Sequence, residues 1–405
     1  MTNDASANVT DVFQGVFTQQ EPIPDAAIDR AVEVLKTGRL HRYNTVGDEA
    51  SEATLLEEEF AAYMGSKHCL AVASGGYAMQ LSMRALGISK NQPVLTNAFT
   101  LSPVPGSIHA AGGSPVLVES TEDLVIDLDH LEARIKASGS KVLMISHMRG
   151  HIVDMDALTT LLERYDVTLL EDCAHTMGAA WAGRKSGSYG RVGCFSTQTY
   201  KHINSGEGGL LVTDDSELFA RAVLLSGSYM LYGRNGTAPD ESYFSEAKYQ
   251  TPNCSGRMDN LRAAILRPQL KQLDENARRW NDRYDALAKR LATCEHLRLP
   301  VRAPQEQHVP SSLQFVIAGI SRPDAENFLA KLQQRNVELK WFGRREPHGF
   351  TSQHSSWEYV EKQSLPVTDA LLAGLFDIRL PLTFSVEDCD MIGRIIVETL
   401  NELQT

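Results

Sequence analysis

The chain has 405 residues, which at about 150 residues per domain sets a prior of two or three domains and excludes a small module. A folded chain of this size hides roughly three quarters of the surface its unfolded form exposes, so its core needs no disulfide or metal staples. Lys and Arg number 39 against 51 Asp and Glu, and the resulting net charge of −12 repels phosphate backbones and anionic bilayers, which argues against nucleic-acid and membrane partners.

The six cysteines are scattered without a C-x-x-C pair and read as buried thiols of a reducing compartment. Apolar runs such as Val142 to Ile145 and Leu372 to Phe376 are far too short to span a bilayer. The opening Met1-Thr-Asn-Asp-Ala-Ser-Ala has neither a basic nor an apolar region, so no targeting peptide and a cytoplasmic location are expected.

Residues 1–20 are polar and aperiodic and are expected to form a flexible or interface-draped arm. Helical spacing follows over Ile28 to Leu35 and Ala53 to Tyr63, with Leu55, Leu56, Phe60 and Tyr63 on one face. Cys69-Leu-Ala-Val-Ala is then a strand, Ser74-Gly75-Gly76 a turn, and Tyr77 to Leu86 a helix. Further strands are expected at Pro115 to Glu119, Val142 to Ser146, Val167 to Glu171 and Gly209 to Thr213, with helices such as Asp156 to Tyr165 between them. That alternation implies an α/β fold with a mainly parallel sheet. A long charged amphipathic segment, Leu261 to Leu291, links to a smaller α+β lobe. There the order is a strand (Leu313 to Ile317), a helix (Arg322 to Arg335), a strand near Glu338 to Phe342 and a last helix (Val386 to Leu403). The expected domains are 21–265 and 266–405.

Reactive residue types concentrate in Glu171-Asp-Cys-Ala-His175, Ser196-Thr-Gln-Thr-Tyr-Lys201 and Ser205-Gly-Glu-Gly-Gly209. Asp172 ends an apolar strand, where open α/β sheets bind ligands, and a carboxylate there needs a cationic partner. A heterocyclic nitrogen as that partner is the arrangement pyridoxal phosphate requires, with Lys201 as its Schiff-base amine and Ser196 as a phosphate ligand. The glycine turn opening a helix offers backbone N–H groups to the same phosphate. His147 and His151, four apart, lie at a strand end rather than on a helix, so no metal site is expected. Cys173 reads as a buried thiol, not a nucleophile, and Gly206-Glu-Gly-Gly209 precedes a strand, which rejects a dinucleotide loop. The aromatic-rich stretch Tyr229 to Tyr249 is a candidate lining of the acceptor pocket or a surface-packed loop. Arg344 or Arg345 is either an anion ligand or a surface group.

These motifs, in this order, resemble the DegT/DnrJ group of pyridoxal-phosphate sugar aminotransferases, of fold type I. The resemblance runs from about Gly38 to Leu403. It rests on Leu55 to Gly65, Ser74-Gly-Gly-Tyr-Ala78, Gly112-Gly-Ser-Pro-Val116, His147-Met-Arg-Gly150, the Asp172, Ser196, Lys201 and Gly206 to Gly209 block, Arg257-Met258 and Leu380-Pro-Leu382. It implies Lys201, Asp172 and His175 as catalytic residues, with Lys201 the Schiff-base lysine, Asp172 on the pyridine nitrogen and His175 beside the ring. It also implies Gly75, Gly76, Tyr77 and Ser196 around the phosphate, and ping-pong transfer through pyridoxamine phosphate in a homodimer. Departures from the family pattern are Gly76 for Thr, Leu101 where an aromatic usually stacks, with Phe99 two residues earlier, and Ser255-Gly-Arg-Met258 for N-Y-R-M. The last leaves Asn253 or Ser255 for a cross-subunit phosphate contact. The implied reaction moves an amino group from glutamate or glutamine to a sugar or cyclitol ketone. The alternatives are a small non-sugar ketone or aldehyde, and a non-catalytic cofactor-binding regulator.

Overall fold

The computed structural model describes residues 11–349, 351 and 353–404. Its central sheet has seven strands: β1 (His68–Val72), β2 (Pro93–Asn97), β3 (Ser114–Val118), β4 (Val142–Ser146), β5 (Thr168–Asp172), β8 (Val192–Ser196) and β9 (Gly209–Thr213). Between β5 and β8 lies a short pair, β6 (Ala180–Trp181) and β7 (Arg184–Lys185), completed by β10 (Glu306–Gln307). The large sheet runs β1-β9-β8-β5-β4-β2-β3, parallel from β3 to β8, with β9 antiparallel to both neighbours. The expected mainly parallel α/β architecture of fold type I is thus the one found.

Helices cover both faces because the strands are apolar on both sides, as parallel sheets require. On one face the helices Gly75–Leu86 and Ser216–Ser226 share a core with Leu70, Val72 and Leu211. On the other, Glu52–Met64 and Asn260–Leu270 bury Leu56, Phe60 and Leu266 against Ala71 and Phe195. The long charged segment is two helices, Asn260–Leu270 and Leu273–Leu291, parted at Lys271 and Gln272. The first packs on the large sheet; the second places Tyr284, Leu287 and Leu291 in a separate core with the final helix Val386–Gln404.

That second core sits over the sheet β11 (Ser312–Val316), β13 (Leu375–Arg379) and β12 (Lys340–Trp341), in the order β11-β13-β12. The amino-terminal segment belongs to it, contrary to the flexible arm expected over residues 11–20. Phe13 and Phe17 are 1% and 3% exposed and pack edge-on to Phe384 at 4.9 Å, and the Phe13 N–H donates to the Arg335 carbonyl at 3.0 Å. The two phenylalanines, four apart, dock the segment together with hydrogen bonds from Arg335 to the Asp11 carbonyl and from Asn336 to the carbonyls of Phe13 and Gly15. The rest of that arm, residues 1–10, lies outside the described residues.

Candidate active site

The carboxyl ends of β4, β5 and β8 meet the start of the helix Gly75–Leu86, and the sequence explains each piece. Ser74 caps that helix, its Oγ accepting from the Tyr77 N–H at 3.0 Å, so the N–H groups of Gly75 and Gly76 are the ones left pointing past the helix end. A Cβ on Gly75 would fall 2.8 Å from Ser196 Cβ, so only glycine lets the helix start this close to the end of β8. Tyr77, expected at the phosphate turn, thus has its N–H committed to the cap. Its ring lies against Gly256, where a Cβ would meet it at 2.0 Å.

Asp172 ends β5, opposite Ser146 on β4. Ser146 Oγ donates to its Oδ2 at 2.8 Å and the Ala174 N–H to its Oδ1 at 3.1 Å. Burial pushes its carboxyl above the ordinary range, against those two hydrogen bonds and the charge of Lys201. Among the described residues no ion pair is formed by Asp172, so the site holds a buried carboxylate in want of a cation.

Lys201 stands on the turn after β8, held by its N–H to the Gln198 carbonyl at 2.8 Å, while Thr197 and Thr199 bond back to Gly208 and Gly206. A Cβ on Gly208 would meet Thr197 Oγ1 at 2.3 Å, which explains a glycine at φ +157° there. The Lys201 amine is 3.2 Å from His175 Nε2. Desolvation first, and then the charge of Arg149, push it down to about 7, with Asp172 opposing. His175 is pushed well below its usual value by burial and by Lys201, so its ring is neutral and accepts from or donates to the amine.

The structure therefore gathers Lys201, His175, Asp172, Ser196 and Gly75 and Gly76 at one sheet end. Asn253 and Ser255 bond to each other on an exposed loop, the Ser255 N–H donating to Asn253 Oδ1 at 2.9 Å. Phe99 is spent elsewhere: 1% exposed, it meets Phe342 edge-on at 5.2 Å, and the half-buried Leu101 joins the same cluster. Of the aromatic stretch, Tyr232 and Phe244 stack at 4.1 Å in the core, whereas Tyr229, Tyr243 and Tyr249 face solvent. His147 binds Glu171 at 3.1 Å beside Cys173; both oxygens of Glu171 already accept backbone N–H groups of Gly187, Tyr189 and Gly190, which makes the trio a structural knot. Sequence reasoning missed Ser146, visible only as the end of an apolar run, and it missed the cations Arg149, Lys340 and Arg379 near Lys201. Of the arginines it did single out, Arg344 lines a nearby cleft and Arg345 is exposed.

A helix-end anion cradle, a buried carboxylate lacking a cation and a desolvated lysine fit pyridoxal phosphate at its three poles. Fold and site together define a fold type I pyridoxal-phosphate enzyme. Residues 23–397 match the DegT/DnrJ/EryC1/StrS aminotransferase family, and the chain belongs to it. It is 34% identical, over 70% of its length and 69% of the relative's, to a dTDP-3-amino-3,4,6-trideoxy-alpha-D-glucose transaminase of Streptomyces venezuelae. It is 32% identical to an L-glutamine:2-deoxy-scyllo-inosose aminotransferase of Streptoalloteichus tenebrarius, over 62% and 58% of the two chains. Among solved structures, DesV of S. venezuelae superposes with a TM-score of 0.76 at 26% identity, covering 94% of this chain and 98% of that one. The protein is an aminotransferase, and its cofactor is pyridoxal 5′-phosphate.

Bound at this site, the cofactor supplies the electron sink that stabilises charge on the substrate's amine-bearing carbon. The side chains then have separable tasks. Asp172, fixed by Ser146, would hold a proton on the ring nitrogen and so keep the sink strong. The Lys201 amine, pushed down to about 7 and so neutral in about half the molecules at pH 7, would be the group that takes a proton from the substrate carbon and returns it. His175, 3.2 Å away, limits where that amine can sit. Ser196 and the N–H groups of Gly75 and Gly76 would hold the phosphate.

Proposed function

We propose that the chain transfers an amino group from L-glutamate or L-glutamine to the keto group of a sugar or cyclitol, by ping-pong turnover in a cytoplasmic homodimer. One observation carries the reading: an amine pushed down to about 7 stands 3.2 Å from a neutral histidine, in the same pocket as an unpaired buried carboxylate. The named activities of the 34% and 32% identical relatives support a carbohydrate-like acceptor. No helix among the described residues is long and apolar enough to cross a membrane. Lys201, Asp172 and His175 are assigned the chemistry, and Gly75, Gly76, Ser196 and one of Asn253 or Ser255 the phosphate.

The test is spectroscopic. Purified protein should absorb visibly through lysine-bound cofactor, the band should be fixed by borohydride, and Lys201→Ala should lose the covalent link. L-Glutamate or L-glutamine should bleach the band and a keto sugar or cyclitol restore it. A protein that takes up no pyridoxal phosphate, or whose band ignores both amino acids, would refute the reading.

A further inference from the structure

The sheet of the small lobe turns one face to its own core and the other to the large lobe. Leu313, Phe315, Phe376 and Ile378 take the first. Alternation puts Ser312, Gln314, Asp377 and Arg379 on the second, with Gln314 directly opposite Asp377 across β11 and β13. Gln314 is buried there and its whole amide is committed. Its Nε2 donates to Ser312 Oγ at 2.8 Å and to Asp377 Oδ1 at 2.7 Å, which turns Oε1 toward His151 Nε2, 2.8 Å away on the large lobe. Burial, ahead of the charge of Arg302, pushes His151 well below its usual value, so the ring is neutral and its one N–H is the donor of that bond.

His151 closes the turn Met148–Gly150, and the small lobe grips each residue of that turn. Met148 shares a core with Val316 and Phe342. The Gly150 carbonyl accepts from Arg302 Nη1 at 3.0 Å. Between them Arg149 is buried at φ +56°, a conformation that costs a non-glycine residue energy and so needs holding. Its own contacts hold it loosely: Nη2 lies 3.2 Å from Asp377 Oδ2 without hydrogen-bond alignment, and the Phe342 ring centre is 6.0 Å from the guanidinium. Gln314 grips both sides of it, the carboxylate that faces it and the histidine two residues on. The turn's far side backs the reacting groups. The His147 N–H donates to the Asp172 carbonyl at 3.1 Å, and a Cβ on Gly150 would fall 3.2 Å from the carbonyl of His175, whose ring meets Lys201.

We propose that Gln314 is a positioning residue for Lys201 and His175, holding Arg149 and its turn against them from the other lobe. That Lys201 is the acting lysine rests on the aminotransferase reading above. Arg149 is, after desolvation, the largest influence keeping the Lys201 amine neutral. The other groups bearing on that amine are Asp172 and His175 from the loop after β5, His202 beside it, and Lys340 and Arg379 from the small sheet. Gln314 and His151 are not among them. Both are uncharged, so a substitution there reaches the amine by moving a group, not by removing a charge.

The test reads the amine itself, on full-length protein freed of cofactor. Trace acetic anhydride labels neutral amines, and mass spectrometry of the Lys201 peptide across pH, against a denatured standard, gives the midpoint. Gln314→Leu and His151→Leu should each raise it by at least about 0.5 in pH, roughly threefold less labelling below the midpoint. The double variant, in which neither end of their hydrogen bond is orphaned, should do the same and serves where a single variant fails to fold. Beside Arg149→Met, which should also raise the midpoint, Gln314→Leu should add nothing. A midpoint left in place or lowered by these leucine variants, or a Gln314→Leu shift that persists in full beside Arg149→Met, would overturn the proposal. Protein that shows the shifts yet takes up no pyridoxal phosphate would keep the positioning role and refute the aminotransferase reading.

Discussion

Gly75 and Gly76 stand side by side for different reasons. A Cβ at position 75 meets Ser196 Cβ at 2.8 Å and its backbone at 3.1 Å, whereas one at position 76 meets nothing nearer than 3.9 Å. Gly75→Ala should therefore push the helix start off β8 and weaken cofactor binding at least about tenfold, by the loss of one or two charge-assisted hydrogen bonds. Gly76→Thr, which restores the family's hydroxyl, should fit and tighten binding severalfold. Equilibrium titration of the cofactor-free protein checks both; equal effects of the two changes would mean that the phosphate lies elsewhere. The lysine makes a pH prediction. Its folded-state value, about 7, lies below the ordinary 10.5, so in the cofactor-free protein the neutral, attacking form accumulates as pH rises through 7. Covalent uptake of cofactor should accelerate between about pH 6 and 8 and then level off. Arg149→Met removes the largest charge that disfavours protonation, so the midpoint should move to higher pH; an unmoved midpoint would show desolvation acting alone.

The amino-terminal segment tests how far a short element can be part of a core. Phe13, 1% exposed among Phe17, Phe384 and the small-lobe helices, should lose about 3–5 kcal/mol on substitution by Ala, as buried Phe→Ala changes do. Val12, 43% exposed, should lose within about 0.5 kcal/mol. Chemical denaturation of the two variants decides between a docked segment and a loose one. This element also marks where the sequence stops being readable. Strands β4 and β9 were legible to the residue because each is a five-residue apolar run bounded by turn signals. The site's Lys201, Asp172 and Ser196 were legible because their order along the chain carries the chemistry. Strand β8 was not, since Gly193 interrupts it: a Cβ there would meet the Gly187 carbonyl at 2.3 Å, a tertiary constraint with no local signature. The same holds for β13, whose Asp377 and Arg379 interrupt an apolar run and meet Arg149 and Tyr200 from the other lobe. Docking of residues 11–17 likewise depends on a partner more than 300 residues away.

At the scale of the whole molecule, an acidic chain of net charge −12 has to hold a cofactor phosphate with local dipoles and hydroxyls alone. Within one chain the donors proposed are Ser196 and one helix end, while Asn253 and Ser255 sit exposed on their loop. Exposed apolar side chains also cluster on the helix Asp25–Thr37, at Ile28, Val32 and Leu35, and continue at Leu40 and Val46, a surface that association would cover. In the proposed homodimer the loop of each subunit would complete the phosphate site of the other. Two defective variants then answer for one another. Lys201→Ala should be inactive, and Asn253→Ala combined with Ser255→Ala should bind cofactor poorly. Subunits of the two, unfolded together and refolded at equal amounts, form hybrid dimers in which one site has both an intact lysine and an intact loop. Random pairing makes half the dimers hybrids, each with one good site of two, so about a quarter of wild-type turnover should return. If the loop instead serves its own subunit, no hybrid has an intact site, and the mixture should be no more active than the weaker loop variant at half its concentration.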